Sequence, residues 1–173
     1  DWEERSYVDG LLNGKSIYRF NLEGPFPGDW EERTYVNGVL SGAATYYNTT
    51  EPWIGCINKF IYVNGVIEGP STFHWPNGDW EERTFVNGIL EGKATIYYMT
   101  GAWKGDYEVI TYVNKGQIGV AEGPSTYYCT NGDWEERTLI NRDGHGVLHG
   151  PCIYHFKNGE TIEGFYEYGE RSF

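Results

Sequence analysis

The sequence predicts an all-β protein built as a stack of β-hairpins. Three observations carry this. First, β-type runs meet at Asn-Gly: a strand from Trp80 to Phe85 runs into Asn87-Gly88, and a second strand runs from Ile89 to Tyr98. Both central residues of a type I′ turn need positive φ, which Asn and Gly supply at low cost. Second, the pattern recurs, with the word Asp-Trp-Glu-Glu-Arg carrying Trp2, Trp30, Trp80 and Trp134 at intervals of 28, 50 and 54 residues. Third, no segment holds a 3.6-residue apolar period, and 24 glycines are too many for helix interiors.

Degenerate copies fill the wider intervals. Residues 55–65, ending in Val63-Asn64-Gly65, align without a gap on residues 28–38. Residues 105–114 align too, and an insertion follows around Lys115 to Ala121. The chain therefore reads as one domain of seven units of about 22–28 residues, starting near 1, 28, 55, 78, 105, 132 and 159. From the second unit on, a copy of the acidic word alternates with a divergent copy. The last unit is incomplete and stops at Phe173. Hairpin turns are expected at Asn37-Gly38, Asn64-Gly65 and Asn87-Gly88.

The second strand of each unit has its own rule. Gly14-Lys15-Ser16, Gly42-Ala43-Ala44, Gly69-Pro70-Ser71, Gly92-Lys93-Ala94, Gly123-Pro124-Ser125 and Gly150-Pro151-Cys152 occupy one slot. Residues i and i+2 of a strand share a face, so both small residues point the same way and something bulky crosses there. Pro70, Pro124 and Pro151 cannot donate to a ladder. Aromatics follow at Tyr46, Phe73, Tyr97, Tyr127 and Tyr154.

Composition narrows the function. A net charge of −12 argues against nucleic acid and against simple attraction to anionic lipid. No apolar run approaches the ~20 residues of a membrane helix. Cys56, Cys129 and Cys152 are too few for a disulfide framework, though one bridge stays open. The chain begins at Asp1 without Met and holds one Asn-x-Thr sequon, at Asn48, which together lean toward a secreted protein.

The unit Gly-Asp-Trp-Glu-Glu-Arg-Thr-Tyr-Val-Asn-Gly, followed by Gly-x-small-x-aromatic, resembles the MORN (membrane occupation and recognition nexus) repeat. The resemblance lies in the opening Gly, the aromatic two residues before Asn-Gly, and the small-residue strand, and it covers nearly the whole chain. It implies a single-layer twisted antiparallel sheet of successive hairpins. It also implies scaffolding, dimerisation, and protein or lipid contact without catalysis. The family's first strand usually carries Tyr-x-Gly, where this chain has Glu31-x-Arg33, Glu81-x-Arg83 and Glu135-x-Arg137; only Gly164 restores the Gly.

Catalytic readings find little support. Adjacent Glu81 and Glu82 point to opposite faces of a strand and cannot converge on one atom. Glu81 and Arg83 share a face, and the expectation is a solvated ion-pair ladder, each exposed pair worth roughly 0–1 kcal/mol. His145, His149, Cys152 and His155 match no zinc spacing. No phosphate loop, nucleophile elbow or Cys-x-x-Cys is present in the sequence.

The aromatic rows say more. Counted from the turns, Tyr35, Tyr62, Phe85 and Tyr112 share one face, and Trp30, Ile57, Trp80, Tyr107 and Trp134 share the other. A single layer without helices cannot cover both faces. Either the sheet curls over one, or a second copy or an apolar ligand covers it. The expected function is non-catalytic binding of an elongated apolar ligand, such as a lipid or carotenoid-type pigment, between sheets or subunits. Its candidate residues are Trp2, Trp30, Trp80, Tyr107 and Trp134, with His74 beside Trp75 as a polar anchor. No motif fixes a cofactor beyond that candidate pigment or lipid. The alternative is a MORN-type scaffold that dimerises or docks a protein with no small ligand. Homo-oligomers are expected, because the incomplete last unit leaves a strand edge.

Overall fold

The computed structural model describes residues 1–172. The chain divides into two compact units: residues 1–76 with 85–88, and residues 77–84 with those from 89 on. Both are antiparallel sheets of successive hairpins. A 3-10 turn at Gly101–Trp103 is the one helical element among the described residues.

In the N-terminal unit the strands pair in chain order. Gly14–Arg19 lies between Trp2–Glu4 and Trp30–Val36, and Gly42–Tyr47 between Trp30–Val36 and Ile57–Val63. Gly69–His74 closes on Ile57–Val63. In the C-terminal unit Gly92–Tyr97 lies between residues 80–82 and Tyr107–Asn114, and Gly123–Tyr128 between Tyr107–Asn114 and Trp134–Arg142. Gly150–His155 then joins Trp134–Arg142 to Thr161–Glu167, which pairs with Glu170–Ser172.

The turns form as the dipeptides require. Asn37 and Gly38 have φ of 49° and 85°, Asn64 and Gly65 51° and 85°, and Asn87 and Gly88 51° and 81°. Positive φ at both positions is the type I′ signature, whose twist matches that of the flanking strands. Successive tips are tied by backbone: the Gly38 N–H donates to the Leu12 carbonyl at 2.8 Å, and Gly65 to Leu40 at 2.8 Å.

The second strand is not continuous from Ile89 to Tyr98. It breaks into Ile89–Leu90 and Gly92–Tyr97, with Glu91 between them donating its N–H to the Thr84 carbonyl at 3.0 Å. Ser41, Glu68, Glu122 and His149 mark the same break. The cause is the glycine that follows. Gly92 sits at φ 88°, a left-handed conformation that inserts a bulge and bends the strand.

Register sorts the side chains onto two faces. One, the glutamate face, carries Glu31, Arg33 and Tyr35 and their counterparts. The other, the tryptophan face, carries Trp30, Glu32 and Thr34 and theirs. The small slot lies on the glutamate face and is buried throughout. Ser16 faces Arg33, Ala44 faces Phe60, Ala94 faces Ile110 and Ser125 faces Arg137, so bulky neighbours do cross it. Cys152 reverses the sizes, since its partner is Gly164. Tyr97 stands one position further along its strand than Tyr46, Phe73, Tyr127 and Tyr154, and so lies on the tryptophan face.

The apolar core of the C-terminal unit is Ala94, Ile110 and Leu139, flanked by Ile96, Tyr112, Ala121 and Leu148. Short tip strands close over it at backbone distance. A Cβ on Gly119 would collide with the Leu90 carbonyl, and one on Gly146 with that of Ala121. Ala94 is 3% exposed within this cluster, so Ala94→Leu should destabilise the protein by about 1–3 kcal/mol through overpacking. A denaturant midpoint that does not move would show that the slot can accept the larger chain.

Candidate functional site

In each unit the glutamate face carries carboxylates taken out of water. Glu31, Glu81 and Glu135 are 3%, 1% and 4% exposed, so the ion-pair ladder is buried and not solvated. The bulged tips and neighbouring strands close over this face, which strand alternation alone does not reveal. Arg33 lies 3.6 Å from Glu31 and Arg83 3.2 Å from Glu81. Arg137 instead reaches Glu108 at 2.6 Å, and Arg171 reaches Glu135 at 3.0 Å. Tyrosines from the next repeat complete the row: Tyr35 donates to Glu3 at 3.1 Å and Tyr166 to Glu135 at 3.1 Å. Tyr62 and Tyr112 hydrogen-bond to Glu31 and Glu81 in the same relation.

Burial pushes the Glu31 and Glu81 carboxyls above their ordinary range, against the pull of Arg33 and Arg83. Burial also pushes Tyr62 and Tyr112 up, and the facing carboxylates add to the shift.

The Asp of each word serves the long turn that follows. Asp29 accepts from the Thr49 N–H at 2.7 Å and the Tyr46 hydroxyl at 2.8 Å. Asp106 accepts from the Thr130 N–H at 2.8 Å and Tyr127 at 2.6 Å, and Asp133 from the Lys157 N–H and Tyr154, both at 2.9 Å. Burial pushes Asp29 up, but these hydrogen bonds outweigh it and hold its carboxyl below the usual range.

The tryptophan face of the C-terminal unit carries a row of six rings. Trp80 stacks on Tyr97 at 4.3 Å, Tyr107 on Tyr128 at 4.6 Å, and Trp134 on His155 at 3.7 Å. Between these pairs the centroids stand 6.2 Å (Tyr97 to Tyr107) and 6.4 Å (Tyr128 to Trp134) apart. Each tight pair is a cross-strand pair within one hairpin. The rings spend their faces on one another and present edges outward. Beside them lies a groove of about 450 Å³, lined by Pro124, Thr126, Tyr128, Trp134, Pro151 and Ile153 among others.

The structure thus brings Trp80, Tyr107 and Trp134 into one row. In the N-terminal unit Trp30 stacks on Tyr47 at 3.7 Å, with the Arg19 guanidinium 5.5 Å from the Trp30 ring. Trp2 faces Arg19 and is exposed. His74 faces Ile57 on the tryptophan face, with Thr72 Oγ1 3.0 Å from its Nε2. Trp75 packs instead with Phe73 on the glutamate face, so this residue and His74 do not share a surface. Sequence reading missed the partner rings Tyr47, Tyr97, Tyr128 and His155. All four stand five residues after the slot glycine, a fixed offset that could have found them. Among the described residues no group of three or more His, Cys, Asp or Glu is arranged to hold a metal ion. Cys56, Cys129 and Cys152 are free thiols.

Repeated hairpins with Asn-Gly or Asp-Gly tips, a left-handed glycine bulge and a small-residue slot define a β-hairpin repeat scaffold. The MORN repeat family model matches residues 61–80 and 144–161, so these two stretches are MORN repeats. Such repeats are generally non-catalytic. No curated protein matches the chain.

The raised Glu81 carboxyl sets a pH dependence. A carboxyl with a raised pKa binds its proton first in the folded state, so its contribution to stability falls as pH rises through that pKa. The urea midpoint of the wild type relative to that of Glu81→Gln should therefore rise as pH drops from 7 toward the ordinary value of 4.5. A margin that stays constant over that window would mean the carboxyl is not raised. Asp29, held low, acts below its ordinary value of 3.8, and Glu31, raised like Glu81, is present in both proteins and drops out of the difference.

Proposed function

We propose that the protein is a non-catalytic scaffold that holds an elongated apolar ligand, a lipid or a carotenoid-type pigment, along the tryptophan face of its C-terminal unit. The row of six rings beside the Pro124–Trp134–Ile153 groove is the observation that carries this reading. Six strands at about 4.8 Å spacing make a strip about 24 Å long, which suits an extended molecule better than a compact one. Ring faces are occupied by stacking, so such a ligand lies across ring edges and against Pro124, Pro151 and Ile153. The groove volume falls within the usual range for small-molecule sites.

A second reading is a scaffold that docks a protein or another copy of itself. It is favoured by the hairpin tips of the N-terminal unit, where Val8, Leu11, Val36, Val39, Val63 and Val66 are all exposed. Such contiguous apolar tips suit a macromolecular contact.

Protein from its native source, extracted with organic solvent and examined by absorption, separates the two. The first reading expects an apolar compound in the extract. Trp134→Ala should then weaken retention about tenfold, the equivalent of roughly 60 Å² of lost apolar contact, with the far-UV circular dichroism unchanged. A clean extract with a sedimenting species larger than the monomer supports the second reading. Ligand loss that always accompanies loss of the sheet signal would make Trp134 a core residue only.

A further inference from the structure

The glutamate face of the C-terminal unit holds a second groove, of about 350 Å³, that the ligand reading above does not use. Its walls are Tyr98, Trp103, Tyr127 and Tyr154, and Arg137, Arg171 and Glu135 also line it. Trp103 stands over it on the turn at 101–103 and is 60% exposed. The turn is fixed at its base. The Asp106 N–H donates to the Trp103 carbonyl at 2.9 Å, and Asp106 in turn holds Thr130 and Tyr127. Trp103 meets Tyr127 edge to face at 6.3 Å, which leaves much of the indole uncovered.

The groove has a readable origin in the chain. Residues 69–80 and 123–134 are copies of one another, and position 75 of the first corresponds to 129 of the second. In the N-terminal unit that position is Trp75, packed on Phe73, which also meets Trp53. In the C-terminal unit it is Cys129, the Phe73 position is Tyr127 and the Trp53 position is Trp103. Replacing an indole by a thiol leaves room beside an otherwise similar aromatic arrangement.

Charge selects what fits. Arg137 is paired with Glu108 and Arg171 with Glu135, so the floor is close to neutral. The Tyr127 and Tyr154 hydroxyls already donate to Asp106 and Asp133, so they are not free to donate to an anion. A cation would meet two guanidinium groups. The Tyr127 and Tyr154 faces already carry Arg137 at 4.6 Å and Arg171 at 5.3 Å, and these two charges repel a further cation from the Trp103 indole beside them. A neutral molecule with hydroxyls for the paired floor and a C–H face for the indole satisfies both constraints. We propose that this groove binds a neutral sugar residue, stacked on Trp103 with its hydroxyls toward the Arg171–Glu135 pair.

The test is binding of the whole chain to an array of neutral, sialylated and sulfated oligosaccharides, followed by tryptophan-fluorescence titration with the best neutral one. Capture of neutral glycans is expected, with at least a tenfold loss of affinity in Trp103→Ala. Cys129→Trp restores the residue found at position 75 and should fill the groove, abolishing binding with the sheet signal intact. Trp134→Ala, on the other face, should bind the sugar normally, which separates this site from the apolar-ligand reading. Absence of neutral-glycan binding, capture of anionic glycans alone, or binding that survives both Trp103→Ala and Cys129→Trp would overturn it.

Discussion

A carboxylate that leaves water must find a cation or a donor, and on the glutamate face that requirement recurs at Glu31, Glu81, Glu108 and Glu135. Glu81 is almost wholly enclosed, with Arg83 at 3.2 Å. Removing one partner of a buried pair typically costs about 3–5 kcal/mol, yet a well-packed apolar replacement of the whole pair can be neutral or better. Such a row therefore contributes specificity more than stability. A strand that slipped by one residue would carry Glu81 and Arg83 together to the other face, leave the Tyr112 hydroxyl without its carboxylate, and break cross-strand pairs such as Arg137–Glu108. Alternation alone would leave register less constrained in a sheet with rings on both faces.

The remaining residues of the acidic word support that row from either side. The Asp caps the next long turn through its backbone, as Asp29 does at Thr49. The Trp stacks across the hairpin on the other face, as Trp134 does on His155. An aromatic pair of this kind contributes about 0.5–1.5 kcal/mol beyond its buried area. The Tyr before the turn reaches back to the glutamate of the preceding repeat, as Tyr35 does to Glu3. The Asp, the Trp and the first Glu of the word thus have different neighbours, which gives a physical reason for its recurrence as a block.

Apart from the hairpin tips, the two surfaces proposed for ligands differ in kind. The tryptophan face offers ring edges in a long strip and a groove lined by Pro124, Pro151 and Ile153 together with Thr126, Glu136 and Thr138. The second groove offers an exposed indole above a nearly neutral floor of paired charges. Divergence between copies made the second: the same position holds Trp75 in one repeat and Cys129 in another.

Much of the fold was legible in the chain, because its signals are local. Asn37-Gly38 sets a turn by its own steric freedom, and the Gly-x-small triplets announce a crowded face wherever they fall. The aromatic row was legible in part: Trp80, Tyr107 and Trp134 follow from alternation within single strands, whereas pairing with Tyr97, Tyr128 and His155 depends on register between strands. Burial of Glu31, Glu81 and Glu135 was not legible. A Glu-x-Arg triplet reads the same on an open strand as on a closed one, and the bulge at Gly92, whose left-handed φ no neighbouring residue announces, is what bends the strand. His74 and Trp75 were adjacent in sequence and parted by the fold, since consecutive residues of an extended chain point to opposite faces. Local backbone preference is written in the sequence; which polar groups lose their water is decided by the strands and tips that close over them.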